Sequence, residues 1–372
     1  MMTQKKAKFP HDLLDPTQAT GLILGGMGGP DTTASVEPFL RNLFNDPAVL
    51  PLPGMLARLV GHFIVSLRVN QVRRRYASLG FGGGSPQTDW TRRQCILLEG
   101  LLNKLGFACY AAPAMRYWHP FPSQTVELLR QRGARQFLVV PAYPQYSAAT
   151  SGTTLTAICQ AVRAADRQAA IYCVEDWHLL PGYLAALSRQ VVPVLYRWIQ
   201  ENTPPQSCAL LPVAHSLPER FIRQGDPYLD QTQATVDALR AGLAVQLANH
   251  EDWWDSLPGG GSPLLAFQSK VGPVRWLGPD SVQEVHRLAA AGCRKLLVLP
   301  ISFTCEHIET LHELDVELAD VARTAGIEDF VRTSALNLDE DWLASLSEHI
   351  TAAAFALRPY SLQPARREAS HA

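Results

Sequence analysis

The chain has 372 residues, 47% hydrophobic and 18% charged, with a formal net charge of -1. That composition is long enough for one large domain or two lobes, and it supplies no positive field to draw in nucleic acid. Seven cysteines, with no CxxC pair and no even framework, point to reduced thiols in a cytoplasmic compartment.

In chain order, residues 1–18 form an N-terminal arm with neither an apolar signal core nor an Arg-rich transit pattern. GLILGG at 21 reads as a strand. The glycines that follow fail the dinucleotide fingerprint, because Asp31 stands where G-x-G-x-x-G needs its last glycine. They serve either a close approach of backbone to a bulky ligand or a tight strand-to-helix turn, and FGGGSP at 81 allows the same two readings. The stretch AVLPLPGMLARLVGHFIVSL is about as long as a membrane span. Pro51, Pro53, Arg58 and His62 leave no charge-free run of ~18 residues in it, so it does not cross a bilayer. Within it Leu52, Leu56, Leu59, Phe63 and Leu67 follow a helical stripe. The stripe is either the inner face of a core helix or an apolar lip at 48–68 that guards a pocket or touches a bilayer surface. Arg73, Arg74 and Arg75 read as a solvated helix face.

Further strands are expected at QFLVVP (136), AIYCV (170), CALLPV (208) and KLLVLP (295), with helical periodicity in SQTVELLRQRG and SVQEVHRLAAAG between them. Alternating strands and helices imply an α/β fold with mostly parallel sheets. SQTVELLRQRGARQFLVVPAYPQYS and SVQEVHRLAAAGCRKLLVLPISFTCE share one order: helix, glycine, basic pair, apolar strand, proline, aromatic loop. Two similar lobes are therefore expected, at 19–180 and 181–355, with a flexible tail at 356–372. Ligands of such sheets bind at the carboxyl ends of the strands, which gathers the loops near Gly25, Ala142, Ala214 and Ile301 around one cleft.

The densest chemistry is PISFTCEHIETLHELDVE at 300–317. It is not a zinc-protease helix, since His307 and His312 are five apart, about 140° around an α-helix. Glu309, Glu313 and Glu317 do align at i, i+4 and i+8, where neighbours lie ~5–6 Å apart. At an effective dielectric of ~20, two bare charges there repel by roughly 3 kcal/mol. They form either a solvated face or a proton or metal track that holds protons or meets a cation, and the adjacent strand end favours the track. His215 follows a strand and is either a hydrogen-bonded structural residue or, opposite Glu309, a metal ligand or proton acceptor. MRYWHP at 115, AYPQYS at 142 and FQSKVGPVRWLGP at 267 place Met, Arg, Tyr and Trp in loops, a wall for a large, flat, apolar ligand. The arginines among them suit carboxylates on it.

Together, GGMGGPDTTASVEPFLRNLFNDP, GGGSP, MRYWHP, YPQYS, AHSLPERFIRQGDPY, QSKVGPVRWLGP and ISFTCEHIETLHELDVE resemble the ferrochelatases, over about Gly21 to Ile350. The resemblance implies two Rossmann-like lobes flanking a porphyrin cleft and insertion of Fe²⁺ as substrate. It matches His215 and Glu309 to residues that face each other across the macrocycle. His307, Glu313 and Glu317 match an inner acidic path on a locally widened helix. Met27, Arg116, Tyr117, Tyr143, Ser269 and Trp276 match the pocket wall, and Arg68 the propionate end. The protoporphyrin-using branch is the nearer likeness, with coprohaem formation or a non-catalytic porphyrin carrier as alternatives. No cysteine follows Cys305, and Ala148 stands where animal-type relatives carry a ligand, so no 2Fe-2S cluster and no other cofactor is expected. Cys305 itself is either a tolerated small residue or a thiol sensitive to metals and oxidants. Peripheral contact with a membrane is compatible with the 48–68 segment.

Overall fold

Near-continuous apolar runs become strands buried on both faces, the condition for parallel sheets. The computed structural model describes residues 9–355 except 48, 51, 260–263, 271 and 273. The expected tail at 356–372 and residues 1–8 of the arm lie outside the described residues. The first half runs β1 (Thr20–Gly26), α1 (Val36–Phe44), α2 (Gly54–Ser78), α3 (Gln87–Lys104), β2 (Cys109–Met115), α4 (Pro122–Gln131), β3 (Gln136–Pro141), α5 (Thr153–Ala165), β4 (Ile171–Cys173) and α6 (Pro181–Gln200). The second runs β5 (Cys208–His215), α7 (Glu219–Arg223), α8 (Tyr228–Gln246), α9 (Glu251–Asp255), β6 (Ala266–Gln268), α10 (Ser281–Ala290), β7 (Lys295–Pro300), α11 (Ile308–Leu311), α12 (Ala319–Ala325), β8 (Asp329–Arg332) and α13 (Glu340–Ala354).

Each half holds a four-stranded sheet, ordered β2-β1-β3-β4 in one and β6-β5-β7-β8 in the other, with every pairing parallel. The second order is the first repeated, as the duplicated sequence predicts. The likeness extends to a detail: a π-helical turn follows the third strand of each half in sequence, at Ala148–Gly152 and at Glu313–Leu318. Only the second carries acids.

Alternation along β1 sends Leu22 and Leu24 to one side and Ile23 to the other. The first side joins a core shared by both halves, where α3, α6, α8 and α13 supply Leu98, Trp198, Leu239 and Trp342. The outer sides form separate clusters under α4 and α5, and under α10 and α12. Trp177 stacks on Trp342 at 5.4 Å, and the Gln94 amide of α3 donates to Thr304 and Asn337 carbonyls at 3.0 and 2.8 Å. Helix α13 packs on both α3 and α6, so the last helix ties the halves together.

The strands at 21, 136, 170, 208 and 295 form where the sequence places them, whereas β2, β6 and β8 were not among the strands expected. β2 is CYAAPAM, an edge strand closed off by side chains: Asn103 engages both backbone groups of Cys109, Glu99 accepts the Ala111 amide, and Thr125 donates to the Pro113 carbonyl. The arm covers the opposite edge, its Asp12 amide reaching the Ile171 carbonyl at 3.0 Å.

The stripe at 52–67 is not the inner face of a core helix. Leu59, Phe63 and Leu67 are 65%, 65% and 68% exposed on α2, while Val65, Val69 and Tyr76 bury the opposite face. The reading of Arg73–Arg75 as a merely solvated face needs correction. Arg73 pairs with Glu37 at 3.2 Å and Arg75 with Glu317 at 2.6 Å, on the far side of the cleft.

Candidate functional site

The carboxyl ends of the parallel strands converge between the two sheets. Met27 follows β1, Arg116 and Tyr117 follow β2, and Tyr143 follows β3; on the other side β5 ends on His215, Ser269 follows β6, and the loop after β7 leads to His307 and Glu309. The glycine motifs hold this end together by packing on each other. A Cβ on Gly29 would lie 2.5 Å from that of Ser85, and one on Gly84 would lie 2.2 Å from the Asp31 carbonyl oxygen. The Ser85 amide donates to the Pro30 carbonyl at 2.7 Å, so the glycines are explained by loop-to-loop approach.

At the centre, His215 Nε2 lies 3.5 Å from Glu309 Oε1, and His307 Nε2 lies 3.2 Å from the other carboxylate oxygen. Each oxygen of Glu309 thus faces an imidazole. His215 is held by its own surroundings: Nδ1 donates to the Ser216 carbonyl at 2.6 Å, its amide donates to Ser302 Oγ at 3.0 Å, and Tyr228 donates to its carbonyl at 2.8 Å. The pair is partly open to the cleft, with 37% of the His215 side chain and 22% of Glu309 exposed. At 3.5 Å the two groups are in direct contact.

Burial pulls the His215 imidazole down, but the Glu309 carboxylate, the Ser216 carbonyl and Glu313 outweigh it and lift the group to about 9. Burial alone would push Glu309 up, yet His215 and His307 hold it well below the usual carboxylate range. In contact, the pair is an imidazolium facing a carboxylate at neutral pH. Glu313 behaves oppositely: burial raises it and Glu309 raises it further, against the Ser269 hydroxyl that donates to it.

Glu313 and Glu317 lie on the π-helical turn, which widens the stripe expected of an α-helix. The Glu317 amide donates to the His312 carbonyl at 2.9 Å, a five-residue step that also brings His312 Nε2 within 3.3 Å of Glu317 Oε1. His307 stands outside the helix as the N-cap of α11, packed on Phe303 with ring centroids 4.4 Å apart. The α-helical angle between the two histidines therefore does not apply. No group of three or more His, Cys, Asp or Glu arranged to hold a metal ion occurs among the described residues.

The expected wall divides. Arg116 and the Tyr117 hydroxyl both engage Asp46, so that guanidinium is already neutralised. The Tyr143 hydroxyl is buried without a hydrogen bond, and Trp276 bridges to Pro218 in the loop beside His215. Arg68 is half-buried on α2 and pairs with none of the described residues. Trp118 and His119 turn outward into a separate open groove of about 1010 Å³ between α3 and α4, which includes none of the central His and Glu residues. Cys305 is buried, and burial pushes its thiol up to about 12, so no reactive thiolate forms there. Tyr76, Gln268, Ser302 and Tyr228 were not singled out in the sequence, and Arg75 was read there only as part of a solvated face. For Tyr76 a signal exists, the buried spacing Val65, Val69, Val72, Tyr76; its phenol is pushed up by burial and by Glu309 and Glu313. Gln268 donates to the Glu309 carbonyl at 2.8 Å.

Duplicated parallel sheets whose strand ends present a His–Glu pair backed by acids define a two-lobed α/β protein with a titratable cleft. Residues 19–354 match the family model Ferrochelatase. A ferrochelatase of Gloeobacter violaceus is 36% identical over 338 residues, covering 89% of this chain and 96% of that protein. One of a Synechococcus species is 36% identical over 352 residues, covering 93% and 94%. The solved structure of SirB from Bacillus subtilis with Fe³⁺ covers 91% of this chain and 96% of its own, at 12% identity and a TM-score of 0.47, too distant to support an argument. The chain belongs to the ferrochelatase family. It is an enzyme of haem synthesis that inserts iron into a porphyrin.

Proposed function

We propose that insertion takes place between His215 and Glu309, with Fe²⁺ as substrate and protoporphyrin IX as the porphyrin. The observation that carries this reading is the 3.5 Å contact between an imidazole and a carboxylate set on the strand ends of one lobe, with the other lobe opposite. Insertion requires removal of two pyrrole N–H protons and delivery of a partly desolvated cation. A ring entering the slot separates His215 from Glu309. The imidazolium then loses the charge that holds its proton, releases that proton to solvent at its exposed edge, and is left as a neutral acceptor for a pyrrole proton. Glu309, with Glu313 and Glu317 behind it, forms the opposing relay. Glu313, raised toward neutrality, is the member suited to carry a proton. Met27, Tyr117, Tyr143, Ser269 and Trp276 would line the ring, with Arg116 fixing the wall through Asp46 and Arg68 taking a propionate.

Protoporphyrin is preferred to coproporphyrin on the likeness of QSKVGPVRWLGP and HIETLHELD to the protoporphyrin-using branch. No 2Fe-2S cluster is proposed, since six of the seven cysteines are buried. Among the described residues no helix is long and apolar enough to cross a membrane. We place the exposed stripe of α2 against a bilayer surface from which an apolar porphyrin arrives.

The test is anaerobic incubation with Fe²⁺ and either porphyrin, for the wild type and for His215→Ala and Glu309→Gln variants that still bind the ring. Turnover should favour protoporphyrin and fall by about 10²-fold or more in each variant, the scale of a lost proton-transfer group. Near-normal turnover in both variants would remove the assignment.

A further inference from the structure

The outer end of the acidic line is occupied by a cation from the opposite side of the cleft. Arg75, near the C-terminal end of α2, places Nη2 2.6 Å from Glu317 Oε1. His312 Nε2 lies 3.3 Å from that same oxygen. The two partners are 242 positions apart in sequence, so the contact is made by the fold. The next residue of α2, Tyr76, is buried, and its phenol feels the charges of Glu309 and Glu313. The exposures fit a mouth: 28% for the Arg75 side chain and 45% for Glu317, against 22% for Glu309.

We infer that Arg75 is a gate for the metal substrate. Its guanidinium competes with the incoming divalent cation for Glu317, so metal is admitted when the ion pair opens. The pair is half-exposed and modest in strength, so opening is frequent and the gate tunes affinity without blocking turnover. The pair also joins α2, whose other half is the exposed apolar lip, to the π-helical turn, so movement of the lip on porphyrin arrival would release Glu317 for metal. The inference rests on the proposed role of the Glu309–Glu313–Glu317 line.

Steady-state insertion at varied Fe²⁺ and varied porphyrin tests it, using Arg75→Gln, Arg75→Lys, Glu317→Gln and the double variant Arg75→Gln/Glu317→Gln. Arg75→Gln should lower the metal KM about three- to fivefold, the size of a half-exposed ion pair, with the porphyrin KM unchanged. Arg75→Lys should stay close to wild type, because it restores the competing charge. Glu317→Gln should raise the metal KM, and adding Arg75→Gln to it should change nothing more. If Glu317→Gln raises the metal KM while Arg75→Gln leaves it unchanged, or moves the porphyrin KM instead, Arg75 is only a tie between lobes and the gate is overturned. If Glu317→Gln itself leaves the metal KM unchanged, the acidic line is not the route of the cation, and the reading beneath the gate fails with it.

Discussion

Glu309 is the residue on which the site turns, because its two oxygens are divided between two imidazoles from different segments. A pH dependence follows. The folded-state pKa of His215 is raised to about 9 from an ordinary 6.5. A raised basic group stabilises the fold fully below its unfolded value and loses that contribution as pH rises through the folded one. Thermal melting of the ligand-free protein should therefore decline between about pH 6.5 and 9 on this account. His215→Ala should flatten that decline, and an unchanged slope in the variant would show that the imidazole does not carry the raised proton. His215 and Glu309 were both legible from their positions after strands. Their separation was not, because letters do not give the distance between two loops. Asp46 was not legible as the partner of Arg116 either, since it lies 70 residues away in a loop.

Among elements, α2 and the π-helical turn do most to shape the cleft. The apolar spacing of α2 is plain in sequence, but whether it faces core or solvent depends on what packs against it. Val65, Val69 and Tyr76 bury one face on α1 and leave Leu59, Phe63 and Leu67 bare. Replacing Leu59 and Phe63 by Glu should reduce co-sedimentation with lipid vesicles severalfold while leaving the melting temperature nearly unchanged, since neither side chain is in the core. Equal sedimentation would remove the membrane contact. The π-helical turn is harder to read. A spacing of four looks like an α-helical stripe, and only the backbone step from Glu317 to His312 shows that His312 joins the acids. Glu313→Gln, which keeps shape but removes the titration, should lower kcat about tenfold or more without weakening porphyrin binding. Unaltered kcat would take Glu313 out of the relay. Strands β2, β6 and β8 escaped the sequence reading for different reasons: β6 and β8 are short and end in polar residues, and β2 is interrupted by Pro113 and carries no β-branched residue.

For the whole molecule, duplication is the economical explanation of the cleft. Two copies of one strand order meet through a shared helical layer, which leaves their carboxyl ends facing each other. Similar lobes then diverge by what their third loops carry: AATSG on the first π-helical turn, ELDVEL on the second. The repeat was visible in sequence because strand, proline and loop recur in register. The return of α13 onto α3 was not visible, as nothing local marks a helix that crosses between halves. That bracing, with Trp177 stacked on Trp342, limits how the slot opens, so ring admission is expected to move α2 and the loops more than the sheets. A crystal structure of the protein with metal-free protoporphyrin measures this directly through the distance from His215 Nε2 to Glu309 Oε1. The account predicts a macrocycle between the two groups and a separation of about 7 Å or more. A complex with porphyrin bound elsewhere and the pair still at 3.5 Å would contradict it.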